Sequence, residues 1–352
     1  MADWLSSMQQ TYEYYIVDPG TWKDKERLDN VLSCTINRDS DAETLGSATI
    51  DIAESVGECY IRVYLITIQN GVKEKHALGT YLVQTPSSSF DGKIKDVSMD
   101  TYTPLLELKE GQPDLGYYCP KNANIMEEAY RIVREQVRAP VVKATCDKTL
   151  FTDFVADPND TWMTFLIDLV ANAKYSFSLD EMGRILFSPV QDTASLQPMW
   201  TFDDSNSSIL YPDFSMDHDL YGIPNVVEVI YSDSNSYHHA RVVNDDPNSP
   251  TSTVARGREI IYRDTQPTLS GDLNDELVEE YARQLLRNLS TLEYTLTYTH
   301  GYCPVRIGDC VRLNYSRAGL VDVKAKVISQ TIKCEPGCPV TEKAVFTNKL
   351  WR

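Results

Sequence analysis

The chain has 352 residues, more than a single core usually covers, so two or three domains are expected. Hydrophobic residues make up 42% and charged residues 24%, which excludes a disordered chain and a continuous coiled coil. With 51 acidic against 33 basic residues the net charge is −18, which excludes a protein that grips nucleic acid through its phosphates. No run of about 18 apolar residues suggests a membrane span. The opening MADWLSSMQQTYEYY has neither the basic nor the apolar region of a signal peptide. Synthesis in a cytoplasm follows as the expectation, with no membrane anchor and the eight cysteines reduced, each a buried, inert thiol by default.

Residues 1–110 read as β structure, with strands at 12–17, 31–37, 48–52, 60–69, 80–85 and 95–99. Asp18-Pro-Gly20, Asn70-Gly71 and Asp91-Gly92 supply the turns, Asn70-Gly71 as a hairpin. A short helical exit at 103–110 leads to Gln112-Pro-Asp and Tyr118-Cys-Pro120, which mark a change of domain. From 126 to 137 Met126, Ala129, Tyr130, Ile132, Val133 and Val137 share one helical side, ended by Ala139-Pro140. A second helix starts at Thr161, capped by Asn159-Asp160, with Trp162, Phe165, Leu166, Leu169 and Val170 as its apolar face. Residues 175–179, 180–183 and 184–187 give strand, turn and strand, and 191–224 reads as a connection with few regular elements.

Strands return at 225–231, 237–243 and 258–262. The polar, proline-containing loop 244–253 between the last two is expected to be mobile and to make contacts. The clearest helix spans 275–289, with Leu277, Val278, Tyr281, Ala282, Leu285, Leu286 and Leu289 on one face. At Ser290 the period changes to two: Leu292, Tyr294, Leu296 and Tyr298 alternate with polar residues as on a half-buried strand. Strands at 310–313, 321–328 and 340–346 follow, the last after a reversal at Cys334-Glu-Pro-Gly-Cys338. The sum is a mainly β protein with an α/β insertion. Two antiparallel β-barrel domains, 1–110 and 224–352, flank a small α/β domain and its connection, 111–223.

Chemistry-bearing motifs are sparse. Cys303, Cys310, Cys334 and Cys338 have the residue types of a zinc or iron–sulfur site, but spacings of six and three differ from the usual knuckles. Four buried thiols, or a Cys334–Cys338 disulfide after release from the cell, are the competing readings, and inert thiols are favoured. Asp217-His218-Asp219 sets carboxylates about an imidazole, where a solvated loop is favoured over a hydrolytic or cation site. No GxSxG, P-loop, GxGxxG or HExxH occurs. Tyr117, Tyr118, Trp200 and Trp351 are read as exposed aromatics serving subunit contacts.

Three stretches carry a resemblance: NVLSCTINRDSDAETLGSATIDI (30–52), LGTYLVQTPSSSFDGKIKDVSMDTYTPLLELKE (78–110), and the closing helix, strand, Pro304, Ile307-Gly308-Asp309 and strand. They are similar to the hub proteins of phage tails: baseplate hubs of the Mu-like and late-control types, and the N-terminal hub region of siphophage tail-associated proteins. The resemblance implies two tail-tube-like barrels and a trimer whose six barrels form a pseudo-hexameric ring joining a hexameric tail tube to a trimeric tip. It implies a structural virion protein rather than an enzyme, made in a bacterial host and placed in the baseplate or tail tip. The tail tube or a distal tail protein ring would lie on one side and a spike or fibre on the other, with tape measure protein and passing DNA in the lumen. A tail-tip relative with an iron–sulfur cluster keeps the cysteine question open. The end at Trp351-Arg352 leaves no expected room for an appended lysozyme or fibre domain. A tail-tip hydrolase or receptor-binding module, and the hub of a contractile injection system, are the alternatives. The residues expected to carry function are the 244–253 loop, the Asn70-Gly71 tip and the Cys334 to Cys338 reversal.

Overall fold

The computed structural model describes residues 2–53, 56–90, 95–232, 237–265, 267 and 274–351. The expected Asp91-Gly92 turn lies outside them. The protein is mainly β, 46% strand and 16% helix. The chain forms two compact units, residues 1–214 with 297–344 and residues 215–296 with 345–352. In chain order the first stretch gives β1 (Gln9–Val17), β2 (Asp24–Leu28), β3 (Val31–Asp39), β4 (Gly46–Ile52), β5 (Tyr60–Gln69), β6 (Val72–Phe90), β7 (Lys95–Tyr102) and α1 (Leu106–Glu110). The middle stretch gives β8 (Tyr118–Cys119), α2 (Ile125–Gln136), β9 (Phe154–Val155), α3 (Trp162–Ala171), β10 (Tyr175–Leu179), β11 (Ile185–Pro189), β12 (Pro198–Asp203) and β13 (Leu210–His218). The remainder gives β14 (Val226–Ser232), β15 (Tyr237–Val243), α4 (Thr253–Arg256), β16 (Ile261–Asp264), α5 (Asp275–Leu289), β17 (Thr291–Gly301), β18 (Cys310–Asn314), β19 (Val323–Lys333) and β20 (Pro339–Lys349).

The first unit is organised by a sheet in which β20, β19, β3, β4, β7, β6, β5, β1 and β2 follow one another. β5 is buried along both faces, and the period of two assigns its residues to two cores. Ile61, Val63 and Leu65 join Ile36, Ile50, Leu78 and Met99 on one side; Tyr60, with Val17, Trp22 and Leu82, meets the helices on the other. The helical layer supplies Met126, Ile132 and Val133 from α2 and Phe165, Leu166 and Leu169 from α3. Asn124 caps α2, accepting from the Met126 and Glu127 N–H groups. Thr161 caps α3 in a reciprocal pair with Thr164, one residue later than the sequence suggested because the Asp160 carboxylate instead receives the Thr164 hydroxyl. At the Asn70-Gly71 tip both residues have positive φ, 52° and 78°, the two-residue reversal that matches strand twist.

The expected mainly β fold with antiparallel sheets is present, while no closed barrel is detected among the described residues. The sheet path has β2 at one end and β13 at the other. One expectation changes. Residues 191–224, expected to be irregular, contain β12, paired in parallel with β18, and the long β13. Their apolar alternation is faint because β13 is mostly exposed.

Gly46 opens β4 at φ 142°, where a Cβ would stand 2.3 Å from the Asn37 carbonyl oxygen and 3.1 Å from Arg38 Cα. Both obstacles are backbone, so Gly46→Ala should destabilise the first unit by about 2 kcal/mol. A denaturant midpoint unchanged from wild type would contradict that close approach.

In the second unit β14 pairs antiparallel with β15 and parallel with β16. α5, capped by Asn274 and spanning the predicted residues, buries Val278, Ala282 and Leu286 against Val227, Val229, Ala240 and Val242. The 244–253 loop is partly buried and internally hydrogen-bonded. Asn244, Ser249, Thr251 and Ser252 are buried, and the Asn244 side chain donates to Ser249 Oγ at 3.0 Å while its carbonyl accepts the Thr253 N–H at 2.9 Å. The polar residues divide between an internal hydrogen-bond network, at Asn244, Ser249, Thr251 and Ser252, and solvent, at Asp245 and Asn248.

Candidate functional site

A buried set of chemistry-bearing side chains lies inside the first unit, where β17, β19 and β20 bring Tyr298, His300, Gln330 and Glu342 together, with Cys303 just past β17. All five are at most 2% exposed. Tyr298 donates its hydroxyl to Glu342 Oε2 at 2.8 Å, and Gln330 Nε2 donates to Glu342 Oε1. The same Nε2 donates to the Val305 carbonyl at 2.9 Å, while Gln330 Oε1 accepts from Arg38 at 3.0 Å. His300 Nε2 stands 3.2 Å from Glu342 Oε1, off the line of a hydrogen bond. Burial alone would push the Glu342 carboxyl up. The His300 ring and the Gln330 and Tyr298 donors outweigh it and hold the group below the usual carboxylate range.

Cys303, His300 and Glu342 have the order of a nucleophile, base and orienting acid, with Cys303 Sγ 3.8 Å from His300 Nδ1. Two observations remove that reading. Nδ1 lies 2.7 Å from the Gly301 carbonyl oxygen, which can only accept, so the ring donates there and has no lone pair for the thiol. Burial also raises the Cys303 thiol far above its ordinary value, with the Glu342 charge adding to it, so it stays protonated and shielded. Phe202 packs 4.6 Å from the His300 ring and closes that side. The cluster is a sealed polar core. The sequence carried a signal for it, since Glu342 falls on the same parity as buried Val340 and Ala344, and His300 on that of Leu296 and Tyr298.

The four singled-out cysteines divide between neighbourhoods. Cys303 lies beside His300, and Cys310 opens β18 with its thiol directed at the Val311 carbonyl. Cys334 continues β19, its N–H donating to the Cys34 carbonyl at 2.9 Å, and Cys338 lies in the core that holds Cys34, where burial pushes its thiol up to about 12. Among the described residues no three His, Cys, Asp or Glu side chains stand close enough to share a metal ion. The four cysteines therefore do not fit a zinc or iron–sulfur tetrad. Asp217 and His218 are consecutive, exposed strand residues and point to opposite faces, so they do not form one site.

Tyr117 is half-buried rather than exposed. It packs edge-on to Trp162 and Phe165 of α3 at 4.9 and 5.5 Å. Tyr118 points the other way and is exposed, directly across from exposed Val155. Leu115 and Phe151, both more than 85% exposed, belong to the adjoining loops. Trp200 is half-buried on β12, and Trp351 is half-buried against the core under α5. At the hairpin tip Val72 is exposed, and at the Cys334 to Cys338 reversal Tyr12 donates its hydroxyl to the Glu335 carbonyl. No helix among the described residues is long and apolar enough to cross a membrane.

No family model and no curated protein matches the sequence. The fold, however, is that of phage tail proteins. A tail protein from Neisseria meningitidis MC58 superposes with a TM-score of 0.62 at 13% identity, covering 96% of this chain and 97% of that one. The 43 kDa tail protein of prophage MuSo2 from Shewanella oneidensis gives 0.63 at 12% identity over 96% and 98%. A chain of the Francisella PdpA–VgrG complex gives 0.58 at 9% identity, covering 98% of this chain and 58% of that one.

Proposed function

We propose that this chain is a structural hub of a phage tail, three copies of which form a pseudo-hexameric ring between tail tube and tip and line the DNA exit channel. The observation that carries the reading is the end-to-end fold match to two tail proteins, nearly the full length of both partners. A sealed Cys303, His300 and Glu342 cluster agrees with a protein that assembles rather than turns over substrate. On this reading each chain contributes two tube-like barrel domains, and a closed ring needs a head-to-tail surface on every copy. The acid excess suits a lumen that repels passing DNA. The expected neighbours are a tail tube or distal tail protein ring on one side and a spike or fibre on the other, with tape measure protein in the lumen. The virion baseplate or tail tip is the expected location.

The exposed Tyr118 and Val155 pair, with Leu115 and Phe151, is assigned to the contact between copies. Sedimentation of the full chain at micromolar concentration should give three times the chain mass. Tyr118→Asp with Val155→Asp should return it to monomer while moving stability by no more than about 0.5 kcal/mol, as for exposed substitutions. A wild-type monomer that stays monomeric beside tail tube protein would refute the ring. The shared fold with the Francisella chain supports a second reading, the hub of a contractile injection system, which uses the same ring.

A further inference from the structure

We propose that Cys34 and Cys334 form a cross-strand disulfide that clamps β3 to β19 when the protein meets an oxidising medium. The register of these antiparallel strands runs through Ile332 opposite Ile36 and Lys333 opposite Thr35, which sets Cys334 opposite Cys34 one step further on. The Cys334 N–H donates to the Cys34 carbonyl at 2.9 Å, confirming the step. Facing residues in such a hydrogen-bonded pair hold their Cα atoms about 5.5 Å apart, within the roughly 4.4–6.8 Å that a disulfide spans. Both side chains lie two residues along from Ile36 and Ile332 and so on the same face, the core side. Cys34 belongs to that core and Cys334 packs against it.

Cys338 is the competitor, at the far end of the reversal, and it is separated from Cys334 by the turn in which Gly337 and Cys338 both take positive φ. Cys34 is buried, while Cys334 is half-buried at the end of β19 and is the thiol a reagent reaches first. The hydrogen bond with the adjacent Cys34 thiol, and burial after it, hold Cys334 protonated, so the exchange is slow at neutral pH. The co-reactant is a low-molecular-weight disulfide such as oxidised glutathione. The Cys334 thiol gives its proton to water, and the thiolate attacks one sulfur of the reagent, displacing a glutathione thiolate. The Cys34 thiol then gives its proton to the released glutathione thiolate, its sulfur attacks Cys334 Sγ in the mixed disulfide, and the second glutathione leaves as a thiolate that takes up the proton Cys334 gave to water. Two protein thiols are oxidised, and one glutathione disulfide is reduced to two thiols. The new bond joins strands from opposite ends of the chain and constrains the unfolded state.

The test uses the full chain incubated natively with oxidised glutathione, alkylated, digested without reductant and mapped by mass spectrometry. A peptide pair bridging Cys34 and Cys334 is expected, together with a rise in denaturant midpoint that reductant reverses. Both should be lost in Cys34→Ser and in Cys334→Ser and kept in Cys338→Ser. Thermal unfolding of the reduced variants checks that each is folded. A Cys334–Cys338 bridge, a stable glutathione adduct without a bridge, or eight alkylated thiols after prolonged incubation would each overturn the proposal.

Discussion

Replacing Glu342 by Ala should lower the unfolding free energy by about 3–5 kcal/mol, because it leaves two buried donors, on Tyr298 and Gln330, short of an acceptor at about 1–3 kcal/mol each. The cost has named parts. Tyr298 loses the acceptor of its hydroxyl, Gln330 loses one of its two acceptors, and His300 Nε2 loses the only carboxylate it faces among the described residues. None of these groups can turn to water, because all are at most 1% exposed. Glu342→Gln keeps the size and one acceptor oxygen and should cost less. The pH dependence distinguishes a charge effect from simple loss of packing. The folded Glu342 carboxyl lies below its unfolded value, so its contribution is fully present above the unfolded carboxylate pKa of about 4.3 and declines as pH falls through the folded value. The stability gap between wild type and Glu342→Gln should therefore narrow on acidification. A gap that stays constant from neutral pH to pH 3 would show that charge plays no part.

The second large effect is expected at Arg62, 1% exposed on β5. Its Nε donates to Thr80 Oγ1 at 2.9 Å, and its two terminal nitrogens reach Asp24 Oδ1 at 2.9 Å, the Trp22 carbonyl and the Met182 carbonyl at 3.1 Å. The guanidinium thus fastens the turn between β10 and β11 to the sheet. Trp22 adds its own indole N–H to Met182 O at 2.7 Å. Arg62→Met should destabilise by on the order of 3 kcal/mol, mainly by leaving the Trp22 carbonyl and Thr80 Oγ1 without their buried donor, since Met182 O keeps the Trp22 indole. Asp24 contributes less, because Tyr64 and Lys75 still reach it and it is partly exposed. Trp22 fluorescence should shift to the red as its site opens. Arg62→Lys should recover little, since a single ammonium cannot reach four partners. Full recovery by lysine would show that charge alone, and not the fork, holds the turn.

These two residues also mark where sequence reasoning reached its limit. Elements with a strong local period were legible: α5 over Asp275–Leu289, the Asn70-Gly71 hairpin, and the alternation that begins at Leu292. β2, with sequence DKERL, was not. Its exposed charges are what an edge strand carries to block further pairing, and they erase the alternation that reveals a strand. β13 was missed for the same reason. The cysteines drew attention by spacing in the sequence, yet the ladder places Cys334 next to Cys34 from the other end of the chain. No local pattern reports such a pairing. Glu342 and His300 left a trace as polar residues on the buried parity of their strands, but their meeting depends on which strands pair. In the 244–253 loop the composition of a flexible segment conceals an internal hydrogen-bond network, because polar side chains can bond to backbone as well as to water.

The ring is the central claim, and electron microscopy of the purified full-length protein, with particles classified without imposed symmetry, tests it most directly. Threefold averages with six similar lobes around an open centre are expected. Uniform single particles with no rotational symmetry, unchanged when tail tube protein is added, would contradict the ring.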